Sequence, residues 1–105
     1  MEPITEPVLL ILLSLAARPR HGYAILRDTE HISDGRVRLS TGTLYGALRR
    51  LLDDGWIERY KGDDTSRGKQ SYRLTSLGRR NLQAEVSRLK QLTRAAALRV
   101  ARKET

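Results

Sequence analysis

The chain has 105 residues, enough for one small core and little more. It contains no cysteine, which excludes disulfides, thiolate zinc sites and cysteine nucleophiles and fits a reducing cytoplasm. The net charge of +8 is unevenly spread: residues 1–35 carry −2, residues 36–75 carry +4 and residues 76–105 carry +6. Such a field suits a polyanionic partner, although an ordinary soluble surface would give the same totals, so the motifs must decide. The acidic start, Met1 to Pro7, lacks the basic and then apolar pattern of a secretory leader, and the apolar run Val8 to Leu13 is too short to cross a bilayer. A cytoplasmic protein with no membrane partner is expected.

Pro7 suits the first turn of a helix. Val8, Leu9, Ile11, Leu12, Leu15 and Ala16 then follow at helical spacing with a wide apolar face, and Arg18-Pro19-Arg20 ends the element. A second helix opens at His21-Gly22-Tyr23, with Tyr23, Ile25, Leu26, Thr29 and Ile32 as its expected inward positions. Ser33-Asp34-Gly35 stops it. Arg36-Val37-Arg38-Leu39 alternates polar and apolar and reads as a very short strand. Ser40 is an N-cap for a third helix from Thr41 to about Asp54, with Gly55 as its stop. Residues 56–60 and 70–74 read as two strands of a β-hairpin whose long polar tip spans residues 61–69. Thr75 caps a fourth helix that reaches toward Lys103. Its apolar stripe, Leu82, Val86, Leu89, Leu92, Ala96 and Val100, steps at a mean of 3.6 residues. The order is that of a winged helix-turn-helix over residues 1–75, mostly α with a small β-hairpin, followed by a long dimerisation helix over residues 76–105.

The third helix carries the chemistry. Leu44, Ala47, Leu48 and Leu51 fall on one side, Gly42, Gly46, Arg49, Arg50 and Asp53 fall opposite, and Tyr45 lies on the flank. Two glycines in one helix turn and a half cost roughly 1 kcal/mol each relative to alanine, which makes sense where the backbone must approach something closely. Ser40, Thr41 and Thr43 put three hydroxyls at the positive end of the helix, suited to phosphate oxygens. Arg49 has the chemistry to bond guanine bidentately, or else to face phosphate or solvent. Arg50 either joins it or pairs with Asp53 or Asp54. Tyr45 either donates to a phosphate or packs half-buried. Arg67 and Lys69 in the hairpin tip suit sugar–phosphate or minor-groove contact, opposed by Asp63 and Asp64 in the same loop. His21 and His31 stand ten positions apart, which is not the spacing of a metal site, and His21 reads as a cap or packing residue. No nucleophile–base pair, paired carboxylates or phosphate-binding glycine loop appears, so neither an enzyme nor a cofactor is expected.

Residues 11–15 (Ile-Leu-Leu-Ser-Leu), 19–25 (Pro-Arg-His-Gly-Tyr-Ala-Ile), 39–48 (Leu-Ser-Thr-Gly-Thr-Leu-Tyr-Gly-Ala-Leu) with Arg50-Leu51, 55–57 (Gly-Trp-Ile), and 72–75 (Tyr-Arg-Leu-Thr) with Gly78 together resemble the PadR family in order and spacing. The resemblance covers nearly the whole chain, and the serine-x-glycine-threonine-leucine-tyrosine segment is its most specific part. It implies a transcriptional regulator, often a repressor, that dimerises through the C-terminal helix and leaves DNA on binding a small effector. It places Ser40, Thr41, Thr43 and Tyr45 at the DNA backbone, makes the third helix the recognition helix and the hairpin the wing, and packs residues 76–103 against the partner's first helix. The chain is similar to the short subfamily with one C-terminal helix. Some of its members stack flat aromatic drugs at the dimer centre, but the first and fourth helices here contain no aromatic residue, which leaves an aliphatic site or none.

A dimer also follows from packing: the projecting apolar stripe would stand in water unless a partner covered it. Two-fold pairing would set two reading helices on successive major-groove turns of a palindromic operator. The alternatives are that the fourth helix folds back on its own domain, or that the winged helix is a protein–protein interaction module that binds no DNA.

Overall fold

A computed structural model describes residues 4–61 and 70–102. The hairpin tip, including Asp63, Asp64, Arg67 and Lys69, and the last residues from Lys103 lie outside that range. Helix α1 (Glu6–Ala17) is capped by Thr5, whose Oγ1 accepts from the Val8 amide at 3.5 Å, with Pro7 in the first turn where its missing N–H costs nothing. Helix α2 (Gly22–Ile32) ends in a Schellman arrangement: Gly35 donates to the Glu30 carbonyl, Asp34 donates to that of His31, and Asp34 takes the left-handed conformation at φ 57°. Helix α3 (Thr41–Asp53) ends the same way, with Trp56 donating to Leu51, Gly55 to Leu52, and Gly55 at φ 77°. Helix α4 (Ser76–Ala101) is about 39 Å long at 1.5 Å per residue.

Three features differ from the sequence expectation. First, residues 36–39 form no strand. Among the described residues no strand pairs with them, and Val37 is instead held through both its N–H and its carbonyl by the Ser33 hydroxyl, at 3.0 and 3.3 Å. Second, a two-residue strand, β1 (Arg20–His21), pairs antiparallel with β3 (Ser71–Leu74). β3 also pairs with β2 (Ile57–Tyr60), so the hairpin is part of a three-stranded sheet of order β1-β3-β2. The register sets Arg20 against Tyr72 and Arg59 against the same Tyr72 on the other side. Third, Tyr23 and Ile32 are exposed rather than inward. Gly22, Ile25 and Thr29 are the buried residues of α2, while Ile32 falls on the last residue of the helix.

The core draws Ile11, Leu12 and Leu15 from α1, Ile25 from α2, Leu44, Ala47, Leu48 and Leu51 from α3, Ile57 and Tyr72 from the sheet, and Leu82 from α4. All four helices and the sheet contribute, so the winged fold is one packed unit. Arg20 tightens it at one corner: its Nε donates to the Ser14 carbonyl at 3.1 Å and its guanidinium pairs with Asp28 at 3.4 Å, both side chains being largely buried.

The start of α4 is fixed to the end of α3. Thr75 caps α4 by accepting from the Gly78 amide at 3.1 Å, its hydroxyl donates to the Gly55 carbonyl at 2.6 Å, and its own amide donates to the Trp56 carbonyl. Gly78 lies directly on the Trp56 backbone, and a Cβ there would stand 2.8 Å from the Trp56 carbonyl carbon, inside van der Waals distance. Only a glycine admits this approach.

Candidate nucleic-acid interface

The two faces of α3 separate as its spacing predicts. Leu44, Ala47, Leu48 and Leu51 are buried, while Gly42, Tyr45, Gly46, Arg49, Arg50 and Asp53 are exposed. Ser40, Thr41 and Thr43 are exposed at its start. Ser40 Oγ accepts from the Thr43 amide at 3.1 Å and donates to Thr43 Oγ1 at 2.9 Å. The two hydroxyls share one hydrogen bond, which leaves one of their two protons free to point elsewhere. Among the first-turn amides, Thr43 is satisfied by the Ser40 hydroxyl and Leu44 by the Ser40 carbonyl. Those of Thr41 and Gly42 have no partner within the helix. The start of α3 therefore presents amides, a hydroxyl and the positive helix end together, a combination suited to an anion.

The glycines of α3 have no internal explanation. A Cβ on Gly46 would meet nothing within 4 Å, and one on Gly42 would meet only Ser40 Oγ at 4.0 Å. Neither has a positive φ. Packing and backbone conformation would thus both accept alanine. Among the described residues Arg49 and Arg50 take part in no ion pair, so the pairing of Arg50 with Asp53 or Asp54 does not form.

Tyr45 is half-exposed and leans from α3 onto the start of α2. Gly22 lies beneath its ring: a Cβ there would overlap the phenol hydroxyl and come within 2.9 Å of Cζ and 3.4 Å of Cε1. On its own side of this joint, His21 caps α2, with Nδ1 accepting from the Ala24 amide at 3.3 Å. Tyr72 adjoins the same spot from β3. Burial raises its phenol above the ordinary range, the Tyr45 phenol adds to the rise, and Arg59 opposes it. Sequence alone did not single out Gly22; the available signal was a glycine opening a helix, where a side chain would ordinarily be tolerated.

The described part of the wing bears cations on its exposed face. Arg73 pairs with Glu58 at 2.7 Å, and its guanidinium stands 4.8 Å over the Tyr60 ring. Arg67 and Lys69 fall outside the described residues. On α4 the predicted stripe divides. Leu82 is buried in the chain's own core and Val86 packs against it, Leu89 is half-buried, and Leu92, Ala96 and Val100 are exposed, Val100 by 84%. Leu98, outside the stripe, is 68% exposed. Among the described residues, no group of three His, Asp or Glu side chains is placed to hold a metal ion, and no helix is long and apolar enough to cross a membrane.

Comparison with known proteins places these features. The model of the transcriptional regulator PadR-like family matches residues 11–84. An uncharacterized 37.1 kDa protein in transposon TN4556 of Streptomyces fradiae is 36% identical over 86 residues, covering 81% of this chain. The chain spans only 23% of that protein's length. Among solved structures, the fold is similar to that of a PadR-like transcriptional regulator from Bacillus cereus, with a TM-score of 0.78, 18% identity, and 91% and 92% of the two chains covered. It is also similar to Bacillus subtilis PadR in complex with operator DNA, with a TM-score of 0.68 and 23% identity, over 82% of this chain and 49% of that one. At these identities the two structures speak for the fold.

Proposed function

The chain belongs to the PadR-like family of transcriptional regulators, and from that premise we propose that it is a sequence-specific, duplex-DNA-binding repressor that acts as a homodimer. The observation that carries this reading is the outer face of α3. Gly46 in mid-helix and Gly42 in the first turn stand there with open space around them, beside two arginines that no carboxylate among the described residues holds. A helix gives up roughly 1 kcal/mol at an interior glycine such as Gly46. What it gains here is a backbone that a groove can approach closely. Arg49 reads a base edge, Ser40, Thr41, Gly42, Thr43 and Tyr45 fix the helix on the phosphates, and Arg50 adds a backbone contact. Arg67 and Lys69 of the wing reach the adjacent sugar–phosphate backbone.

Residues 1–75 serve as the DNA-binding part and residues 76–105 as the dimerising helix. The first turns of that helix are already packed on the chain's own core through Leu82 and Val86. The exposed apolar residues beyond them, Leu92, Ala96 and Val100, supply the seam between copies, and Leu89 lies at its near end. The seam is completed against the partner's first helix. Pairing about a two-fold axis presents two α3 helices to a palindromic operator. Release follows the binding of a small effector whose chemistry is not that of a stacked flat aromatic, because neither α1 nor α4 carries an aromatic side chain.

The test is a selection of bound genomic fragments followed by a gel shift with the fragment recovered. A retarded complex whose affinity falls steeply with salt supports the reading, because phosphate contacts release condensed cations. If no fragment shifts at low salt, the chain is a protein-interaction module instead.

A further inference from the structure

Gly22 and Gly46 are both helix glycines with ordinary backbone conformations, but their surroundings are opposite. Gly46 faces open space. Gly22 is buried, and the volume that its side chain would fill is occupied by the Tyr45 phenol. A turn does not require glycine at 22, since its φ lies outside the left-handed region. What requires it is the ring of a residue 23 positions away on another helix.

That ring is not ordinary core. Tyr45 remains 48% exposed while its phenol rests on the start of α2. A tyrosine on the flank of a solvent-facing helix would otherwise distribute over its rotamers, at an entropy cost on binding. Here the cost is met at folding. The hydroxyl is held at the joint of the two helices, next to the outer face of α3, with Gly46 its immediate neighbour in the chain.

We propose that Gly22 is a positioning residue for the DNA contact: its missing side chain is the seat of the Tyr45 phenol, which holds that hydroxyl in place to donate to a backbone phosphate. The proposal rests on the DNA-binding reading above. Adding a methyl group at 22 unseats the ring. Removing the ring makes the methyl group harmless. Gly22 thus acts on DNA only through Tyr45.

A double-mutant cycle on the full-length protein tests this, measured as affinity for the genomic fragment selected by the wild type. Gly22→Ala and Tyr45→Ala should each weaken binding by a similar factor, and the double variant should bind no worse than Tyr45→Ala alone. Tyr45→Phe, which leaves the ring seated, should lose affinity with little change in unfolding midpoint. If Gly22→Ala proves unfolded, the double variant against Tyr45→Ala and the Tyr45→Phe affinity still decide. The proposal is overturned if Gly22→Ala binds as tightly as wild type, if it weakens binding equally in the Tyr45→Ala background, or if Tyr45→Phe keeps wild-type affinity. A wild-type protein that shifts no fragment at low salt overturns the DNA-binding reading itself, a different result from a binding protein indifferent to residue 22.

Discussion

Replacing Gly46 with alanine should move stability and DNA affinity in opposite directions. Gly46 is the sixth of thirteen residues in α3, its outer side is exposed, and a Cβ there meets no atom within 4 Å. The substitution therefore carries no steric cost in the free protein. It removes the helix penalty of glycine and shrinks the unfolded ensemble, for a gain of about 0.5–1 kcal/mol. With a urea m-value of about 2 kcal/mol/M, the unfolding midpoint rises by roughly 0.3–0.5 M, compared at fixed protomer concentration because the proposed dimerisation would contribute to stability. In the complex the same methyl group occupies space taken by the duplex. Overpacking of a closed interface costs about 1–3 kcal/mol, so operator affinity should fall by roughly five- to a hundredfold. Urea denaturation followed by circular dichroism, with fluorescence anisotropy on labelled operator, measures both. A Gly46→Ala protein that is more stable and binds DNA as well as the wild type would refute the reasoning, since nothing would then approach that side of α3.

Three further outcomes are expected. Arg49→Glu should abolish operator binding in a gel shift while the circular dichroism spectrum and the sedimentation coefficient stay those of the wild type, because the side chain is exposed and joins no described ion pair. Leu92→Glu should shift sedimentation toward the monomer, since Leu92 is 51% exposed within its own chain and lies in the proposed seam. The third concerns pH. Burial raises the Tyr72 phenol above its ordinary value near 10, so its share of stability is complete below that pH and is lost as pH climbs through the raised folded value. Tyr72→Phe should flatten the alkaline limb of the stability profile, and an unchanged limb would assign alkaline unfolding to other groups.

The parts of the fold legible in the sequence are those specified locally. Ser40 and Thr75 cap the helices they precede, and the left-handed Gly55 ends α3, because hydroxyl and glycine chemistry acts within a few residues. The separation of α3 into a Leu–Ala face and a Gly–Arg face follows from its period alone, and with it most of the candidate interface. What was hidden depends on partners distant in sequence. Arg20 and His21 have no strand pattern of their own and become β1 only because β3 offers Tyr72 and Ser71. Arg36 to Leu39 alternate as a strand does but join no edge among the described residues. Leu82 fits a stripe meant for a second copy, yet the domain's own core reaches it first. Gly22 reads as one more turn glycine until Tyr45 is seen lying on it.

The junction between α3 and α4 leaves no room for a swivel. Gly55 ends one helix and Thr75 begins the other, and a single hydroxyl ties the two positions while Gly78 seats the new helix on the Trp56 backbone. Torque applied at the far end of α4 is therefore delivered to α3 rather than dissipated in a linker. The protomer behaves as a key whose shank and teeth are cut from one piece, so the distance and angle between two sets of teeth are fixed wherever two shanks are joined.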